Sequence, residues 1–352
     1  MLVAVTENGR FVQANELTVQ AKTKLYHCPA CKGAVRLKMG EVNLPYFAHV
    51  NLIECDSFAE GESAGHLTGK LAIRDYFHAQ GAVVTLEQYF PEVQQRADVL
   101  VEFNGGRFVI EYQCAPISVQ KVIHRTAGYR QLGLRVIWVL GDTYQARQLS
   151  RATWAKFSQI LHGELQLCVW RMQPGCFEWL SWMEQDFTHR QKQHVVKTKL
   201  AEIQLLKLQQ QITRKDPYLQ RIVLELYRLQ RRLVGMPWMV HNIIGLPGGV
   251  KGEAWPVKLM LYLAIESGPK TQTQLLKQLA NCEWQKFGVA SVRQVQALWL
   301  NRMLTQWFEA GEIVVNDGQI SLTTAPNWYA DYQEKLAGLN IAPENNEKTS
   351  KK

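Results

Sequence analysis

Apolar and polar positions alternate most regularly between Gln95 and Gln113. Two such runs, Val99-Leu-Val-Glu-Phe103 and Arg107-Phe-Val-Ile-Glu-Tyr-Gln113, flank Asn104-Gly-Gly106. Period-two alternation on either side of that turn signal predicts a β-hairpin. Ahead of it, Glu62 to Ala79 has helical character, with Leu67, Leu71, Ile73 and Phe77 as its apolar face, and Ala82 to Glu87 reads as a strand. After it, Ser118 suits an N-cap for a helix reaching about Gln131. The continuous apolar run Arg135-Val-Ile-Trp-Val-Leu-Gly141 predicts a strand covered on both faces. The order is αβββαβ, an α/β core. Residues 2–14 predict a further hairpin about Asn8-Gly9. In the second half, residues 150–185 are rich in Trp and Phe and read as a connection between domains. Asp216-Pro217 breaks a helical segment, with Asp as N-cap and Pro at the first helical position. Beyond it Leu219, Ile222, Leu226, Leu229 and Leu233 form a seam of coiled-coil type, so an antiparallel helical hairpin is expected. Helices at 257–267, 272–281 and 291–310, followed by the hairpin Glu312–Leu322, are the elements of a winged helix and also of other small α+β folds.

The first hairpin carries chemistry. Glu111 and Gln113 fall on one face and Tyr112 on the other. If Asn104 and Gly105 form the turn, Asp98 lies opposite Glu111. A turn at Gly105-Gly106 shifts the pairing by two and keeps the carboxylates on one face. Facing acids repel unless neutralised, and hard carboxylate oxygens suit Mg²⁺ or Mn²⁺. The plainer reading is two exposed acids on an edge hairpin. Glu62, His66 and Lys70, spaced by four, share one side of the preceding helix.

Cys28-Pro-Ala-Cys31, followed by His49 and Cys55, supplies four soft or borderline ligands suited to a closed, structural zinc site. His27 is an alternative ligand, and a free surface thiol is the alternative for Cys55. Gly33 is expected to let the backbone turn towards the sulfurs. A zinc deaminase would need His-x-Glu upstream of the first cysteine, and none precedes Cys28. Cys114, Cys168 and Cys176 read as packing residues.

The order of elements, with Asp98 and Glu111-x-Gln113 on adjacent strands, resembles the restriction-endonuclease-like superfamily. More closely, Cys28-Pro-Ala-Cys31, Phe47-Ala-His49, Glu62-Ser-x-x-His66-x-x-x-Lys70, Gln95-Arg-Ala-Asp98, Ile110-Glu-Tyr-Gln-Cys114 and Ile137-Trp-Val-Leu-Gly141 resemble the competence protein CoiA-like family across roughly residues 1–145. The resemblance implies a bacterial protein of natural transformation that acts on incoming DNA during recombination, with a nuclease domain. It implies Asp98, Glu111, Gln113, Glu62, His66 and Lys70 as active-site residues, with Asp98 and Glu111 on Mg²⁺ or Mn²⁺. Glu62 would be a helix-borne acid assisting the metal; its alternative is a solvated glutamate at a helix N-terminus. His66 has a structural alternative. Gln113 stands where the superfamily usually has lysine: glutamine can orient water but supplies no charge, so Lys70 or Arg96 is a candidate for the missing cation. Arg125, one turn before Tyr129 on the following helix, is either a phosphate ligand or a surface charge.

Composition adds limits. The chain has 352 residues and a formal charge of +9, which favours a polyanionic partner. Residues 186–235 hold 11 Lys/Arg against four Asp/Glu, so most of the excess lies in the helical segment; that segment is either a DNA-tracking face or a solvated spacer. No run approaches the about 20 apolar residues of a membrane span, and no secretory signal opens the sequence, so a cytoplasmic protein is expected. The expected divisions are a zinc module at 1–58, a restriction-endonuclease-like domain at 59–150, an aromatic connector and basic helical hairpin at 151–235, a small helical domain at 236–330 and a polar tail at 331–352. The favoured reading is a metal-dependent nuclease acting on single-stranded DNA or recombination intermediates. Its rivals are a non-catalytic DNA-binding or recombination scaffold with a nuclease fold, and a module that recruits a recombinase or other competence proteins.

Overall fold

The computed structural model describes residues 1–40, 44–51, 55, 63–141, 143–144, 149–184, 197–241, 245–325 and 328–339. The chain divides into two units: residues 1–182 with 285–292, and residues 183–284 with 293–352.

The first unit opens with strands β1 (Val3–Thr6), β2 (Phe11–Gln13), β3 (Tyr26–His27), β4 (Ala34–Lys38) and β5 (Tyr46–His49), an antiparallel sheet in the order β2-β1-β3-β4-β5. Alternation places Val35 and Leu37 of β4 inside and Arg36 and Lys38 outside. The small core gathers Tyr26, Val35, Leu37 and Phe47 together with Cys28 and Cys55.

The second sheet of this unit is built from α1 (Ala64–His78), β6 (Val83–Leu86), the short pair β7 (Tyr89–Phe90) and β8 (Gln95–Arg96), β9 (Val99–Phe103), β10 (Gly106–Gln113), α2 (Val119–Gln131) and β11 (Arg135–Leu140). Then follow α3 (Arg151–Phe157), β12 (Gln159–Leu161), β13 (Glu164–Arg171) and β14 (Cys176–Ser181). The order is β12-β13-β11-β10-β9-β6, with β14 also on β13; β7 and β8 pair separately. The β10–β11 and β11–β13 pairs are parallel and the others antiparallel, so the sheet is mixed. Ser63 and Ser118 accept hydrogen bonds from backbone N–H groups in the first turns of α1 and α2. Leu67 and Ile73 of α1 pack with Val99, Val101, Ile110 and Tyr112. Val122 and Tyr129 of α2 pack with Leu100, Val109, Trp138 and Leu140. The alternating residues of β9 and β10 thus feed two cores, one on each face.

Residues 151–182 are not a connector. They supply α3 and three strands to this sheet, and their tryptophans and phenylalanines are core residues: Trp170 and Phe157 are fully buried.

The second unit contains β15 (Met183–Glu184), α4 (Lys197–Thr213), α5 (Pro217–Arg228), β16 (Leu246–Pro247), α6 (Trp255–Glu266), β17 (Lys270–Thr271), α7 (Gln272–Leu279), α8 (Val292–Glu309), β18 (Ile313–Asn316), β19 (Gln319–Leu322) and α9 (Tyr332–Leu339). Asp216 caps α5 ahead of Pro217. The seam stops sooner than its spacing suggests. α5 ends at Arg228, Gln230 turns left-handed (φ 57°), and Leu229 is exposed while Leu233 is buried in a separate 3₁₀ turn. Leu208, Leu219 and Leu226 share one core with α6, α7 and α8, so the basic hairpin and the small helical region form a single packed body rather than two. The polar tail lies outside the described residues from 340 onward.

Candidate active site and metal cluster

The Cys28-Pro-Ala-Cys31 segment turns tightly: the Cys28 N–H donates to the Gly33 carbonyl and the Lys32 N–H to the Cys28 carbonyl. The left-handed residue is Lys32 (φ 60°), not Gly33. β5 delivers His49 opposite Val35. The ligand atoms of Cys28, Cys31, His49 and Cys55 all lie within 4.8 Å of one another, and Cys31 Sγ is 3.3 Å from His49 Nε2. It is the only such cluster of three or more metal-ligating side chains among the described residues. His27 is not part of it; its Nδ1 bonds the Lys32 carbonyl. Burial pushes the Cys28 thiol up to about 12, with Cys55 adding to the rise. Three thiols and an imidazole this close are a donor set for a cation of zinc's softness, and a bound cation would let the thiols ionise.

The second site starts from the β9–β10 hairpin. Phe103 pairs with Gly106 across Asn104-Gly105, both left-handed (φ 50° and 74°), and Val99 pairs with Ile110. The register therefore sets Asp98 opposite Glu111, and the Tyr112 N–H donates to Asp98 Oδ2 at 3.0 Å. Asp98, Glu111 and Gln113 are all buried. On α1, Gly69 lies so close to β10 that a Cβ there would be 2.0 Å from the Tyr112 ring. This approach lets the neighbouring helical positions reach the hairpin. His66 Nε2 is 3.3 Å from Asp98 Oδ2, and Lys70 Nζ is 3.8 Å from Asp98 Oδ1. On α2, Arg125 and Tyr129 both donate to the Glu111 carboxylate through short hydrogen bonds, and Arg125 also donates to the Arg96 carbonyl. Arg125 is thus neither a free surface charge nor open for a phosphate in this arrangement. Gln113 donates its amide to the Ala115 carbonyl. Glu62 lies outside the described residues.

One member escaped the sequence: Glu87, at the end of β6 in a left-handed conformation (φ 53°). It is 2% exposed, accepts the N–H groups of Leu2 and Val3, and pairs with Lys70 at 2.6 Å and Arg96 at 3.3 Å. Its backbone N–H bonds the Asp98 carbonyl. The only signal was an acid at the end of an apolar strand. Lys70 is completely buried between Glu87 and Asp98, so it meets no substrate directly.

Three buried carboxylates (Glu87, Asp98 and Glu111) are therefore interleaved with Lys70, Arg96 and Arg125, with His66 alongside. Burial would raise Asp98, but His66, Lys70 and Arg125 outweigh it and hold the group well below the usual carboxylate range. Burial, reinforced by Asp98, raises Glu111 to about 6 despite Arg125. Burial also raises the Tyr129 phenol, so it remains a donor. Both acids are ionised above pH 7. They offer hard oxygens at one point of the sheet, a donor set that fits Mg²⁺ or Mn²⁺ once Arg125 shares or yields Glu111.

A cysteine-histidine cluster that could hold a metal ion thus stands ahead of a mixed sheet carrying buried acids. Comparison with known families gives the same division: the N-terminal domain of competence protein CoiA matches residues 10–58, and the nuclease-like domain of CoiA matches residues 62–219. Competence protein CoiA of Bacillus subtilis (strain 168) is 35% identical over 129 residues, which is 37% of this chain and 35% of that protein. The chain thus spans about a third of the length of that curated relative. No solved structure matches. The chain belongs to the competence protein CoiA family. The nuclease-like match runs through β12–β14 and α4, well past the expected boundary at 150. Among the described residues no helix is long and apolar enough to cross a membrane.

Proposed function

We propose that the chain is a divalent-metal-dependent DNA nuclease of restriction-endonuclease type, acting on DNA taken up in natural transformation, with a structural zinc in its N-terminal module. The observation that carries this reading is Asp98 facing Glu111 across the β9–β10 hairpin, both buried, beside His66. Asp98 and Glu111 would hold Mg²⁺ or Mn²⁺, which supplies an activated water and neutralises charge on the phosphate. Lys70 is a positioning residue that keeps Asp98 ionised and fixed. The Gln113 carboxamide, anchored on Ala115, orients water without adding charge. Arg125, released from Glu111, is the cation placed to offset charge on the phosphate in the transition state.

A specific observation favours a second reading, a non-catalytic DNA scaffold. Arg125 and Tyr129 already satisfy Glu111, and no lysine stands at position 113. The deciding experiment compares wild type with Asp98→Ala on linear, single-stranded and branched DNA in Mg²⁺ or Mn²⁺. Cleavage that falls by more than about a hundredfold in a folded variant supports the nuclease. Unchanged cleavage removes Asp98 from the site. Binding without cleavage by either protein supports the scaffold.

A further inference from the structure

The elements from Trp255 to Leu322 run α6, β17, α7, α8, β18, β19. Their sheet order is β17-β19-β18, all antiparallel. The short strand between the first two helices thus pairs with the last strand, which is central, and the hairpin turns over Asp317-Gly318, both left-handed (φ 50° and 73°). Three helices closed in this way by a three-stranded sheet form a helix-turn-helix with a wing. We propose that this region is a winged helix and that the outer face of α8 binds duplex DNA.

The inner face of α8 is fixed. Val295, Trp299, Leu300, Met303 and Trp307 are buried in the core shared with α6 and α7. Gln296 donates to the Leu279 carbonyl at the end of α7. α7 itself begins with a complete Thr271–Gln274 capping box. The outer face has the composition that nucleic-acid reading needs. At about 100° per residue, Asn301 and Thr305 fall at the centre of the exposed arc, with Arg293 on one flank and Arg302 on the other; all four are exposed. Lys277 of α7 is exposed too, and the Gln272 side chain donates to Asn301, tying the polar face of one helix to the other. From Lys270 to Glu309 the sequence has five Lys/Arg and two acids: Glu283, which pairs with Lys251 at 2.9 Å, and Glu309, exposed at the C-terminal end of α8. Neutral amides and a hydroxyl flanked by arginines match base edges bordered by phosphates in a major groove.

This surface is separate from the carboxylate site, and its test reads binding rather than cleavage. Full-length chain in magnesium-free buffer is titrated with a fluorescein-labelled 30-base-pair duplex, and anisotropy is followed as salt is varied. Arg293→Ala/Arg302→Ala is expected to weaken binding tenfold or more at low salt. Its salt-dependence slope should fall by about two, one per lost phosphate contact. Arg302→Glu should weaken binding further than Arg302→Ala, and both sites are exposed, so circular dichroism should match wild type. Duplex binding and DNA cleavage are read separately, and both substituted arginines lie outside the carboxylate site, which keeps a failed nuclease distinct from a failed winged helix. Wild-type affinity and slope in the double variant overturn the proposal. So does an absence of duplex binding by the wild type at low salt, which would leave the face to a protein partner.

Discussion

The cysteine-histidine cluster and the carboxylate cluster solve the problem of a buried polar site in opposite ways. In the first, Cys28, Cys31, His49 and Cys55 bring their ligand atoms within 4.8 Å of each other in a module with a small core. Burial pushes Cys28 away from its thiolate, and a bound cation would reverse that by favouring the ionised form. In the second, Asp98 and Glu111 are surrounded by polar groups the protein itself supplies: the His66 imidazole and the Lys70 ammonium on one side, the Arg125 guanidinium on the other. On the proposed reading, the first site would depend on a metal for its fold, whereas the second already holds its carboxylates among the protein's own polar groups and would exchange its metal freely.

The sharpest way to break this contrast is to remove each metal in turn. Structural zinc in small modules contributes about 10–16 kcal/mol of folding free energy. Zinc chelation or Cys28→Ser is therefore expected to unfold residues 1–55, read as loss of amide-exchange protection across β1–β5. Adding or withholding Mg²⁺ should shift the melting temperature by no more than about 2 °C, a stabilisation below about 1 kcal/mol. A large Mg²⁺-dependent rise would mean that Lys70, His66 and Arg125 do not compensate the carboxylates.

The next largest effect joins the two regions. Glu87 receives the N–H groups of Leu2 and Val3 on the zinc-module side and holds Lys70 and Arg96 on the other. Four partners hold it in a left-handed backbone conformation that costs about 1–2 kcal/mol in isolation. Glu87→Ala strands a buried ammonium and two N–H groups, with an expected loss of about 3–5 kcal/mol in denaturant unfolding. Glu87→Gln, which keeps an acceptor, should lose less. If both variants keep zinc and unfold at the wild-type midpoint, the regions are independent.

What the sequence made legible follows from how local each constraint is. The facing of Asp98 and Glu111 was readable because one two-residue turn at Asn104-Gly105 fixes the register of the whole hairpin. The cysteine spacing was equally local. Glu87 was not readable, because an acid after an apolar strand looks the same whether it ends in solvent or under α1; its partners are 9, 17 and about 85 positions away. Arg125 and Tyr129 were visible as a helical pair, yet their common partner lies across a chain reversal. Residues 151–182 were misread because dense tryptophan and phenylalanine say "buried" without saying against what. Only the pairing of β13 with β11 shows them to be part of the sheet.

The smallest effect sharpens the comparison most directly, because protons compete with metals at both sites. Without metal the Cys28 thiol, pushed up to about 12, is protonated at pH 7.5. Zinc loading must therefore expel at least that proton, measurable as acidification of a weakly buffered solution. Asp98 is held well below the usual range and Glu111 is raised only to about 6. At pH 7.5 both are already ionised, so Mg²⁺ binding should release well under a tenth of a proton. At pH 6 about half of the Glu111 groups carry a proton, and release on binding should approach half a proton per site. The sign follows from the direction of the shift: a raised carboxylate favours the protonated form, so acidification weakens metal binding through Glu111, not Asp98. Cleavage at subsaturating Mg²⁺ should then decline below about pH 6 by up to tenfold per unit, and extra Mg²⁺ should move that limb to lower pH. A limb near pH 4 that ignores metal concentration would mean that Glu111 does not hold the metal.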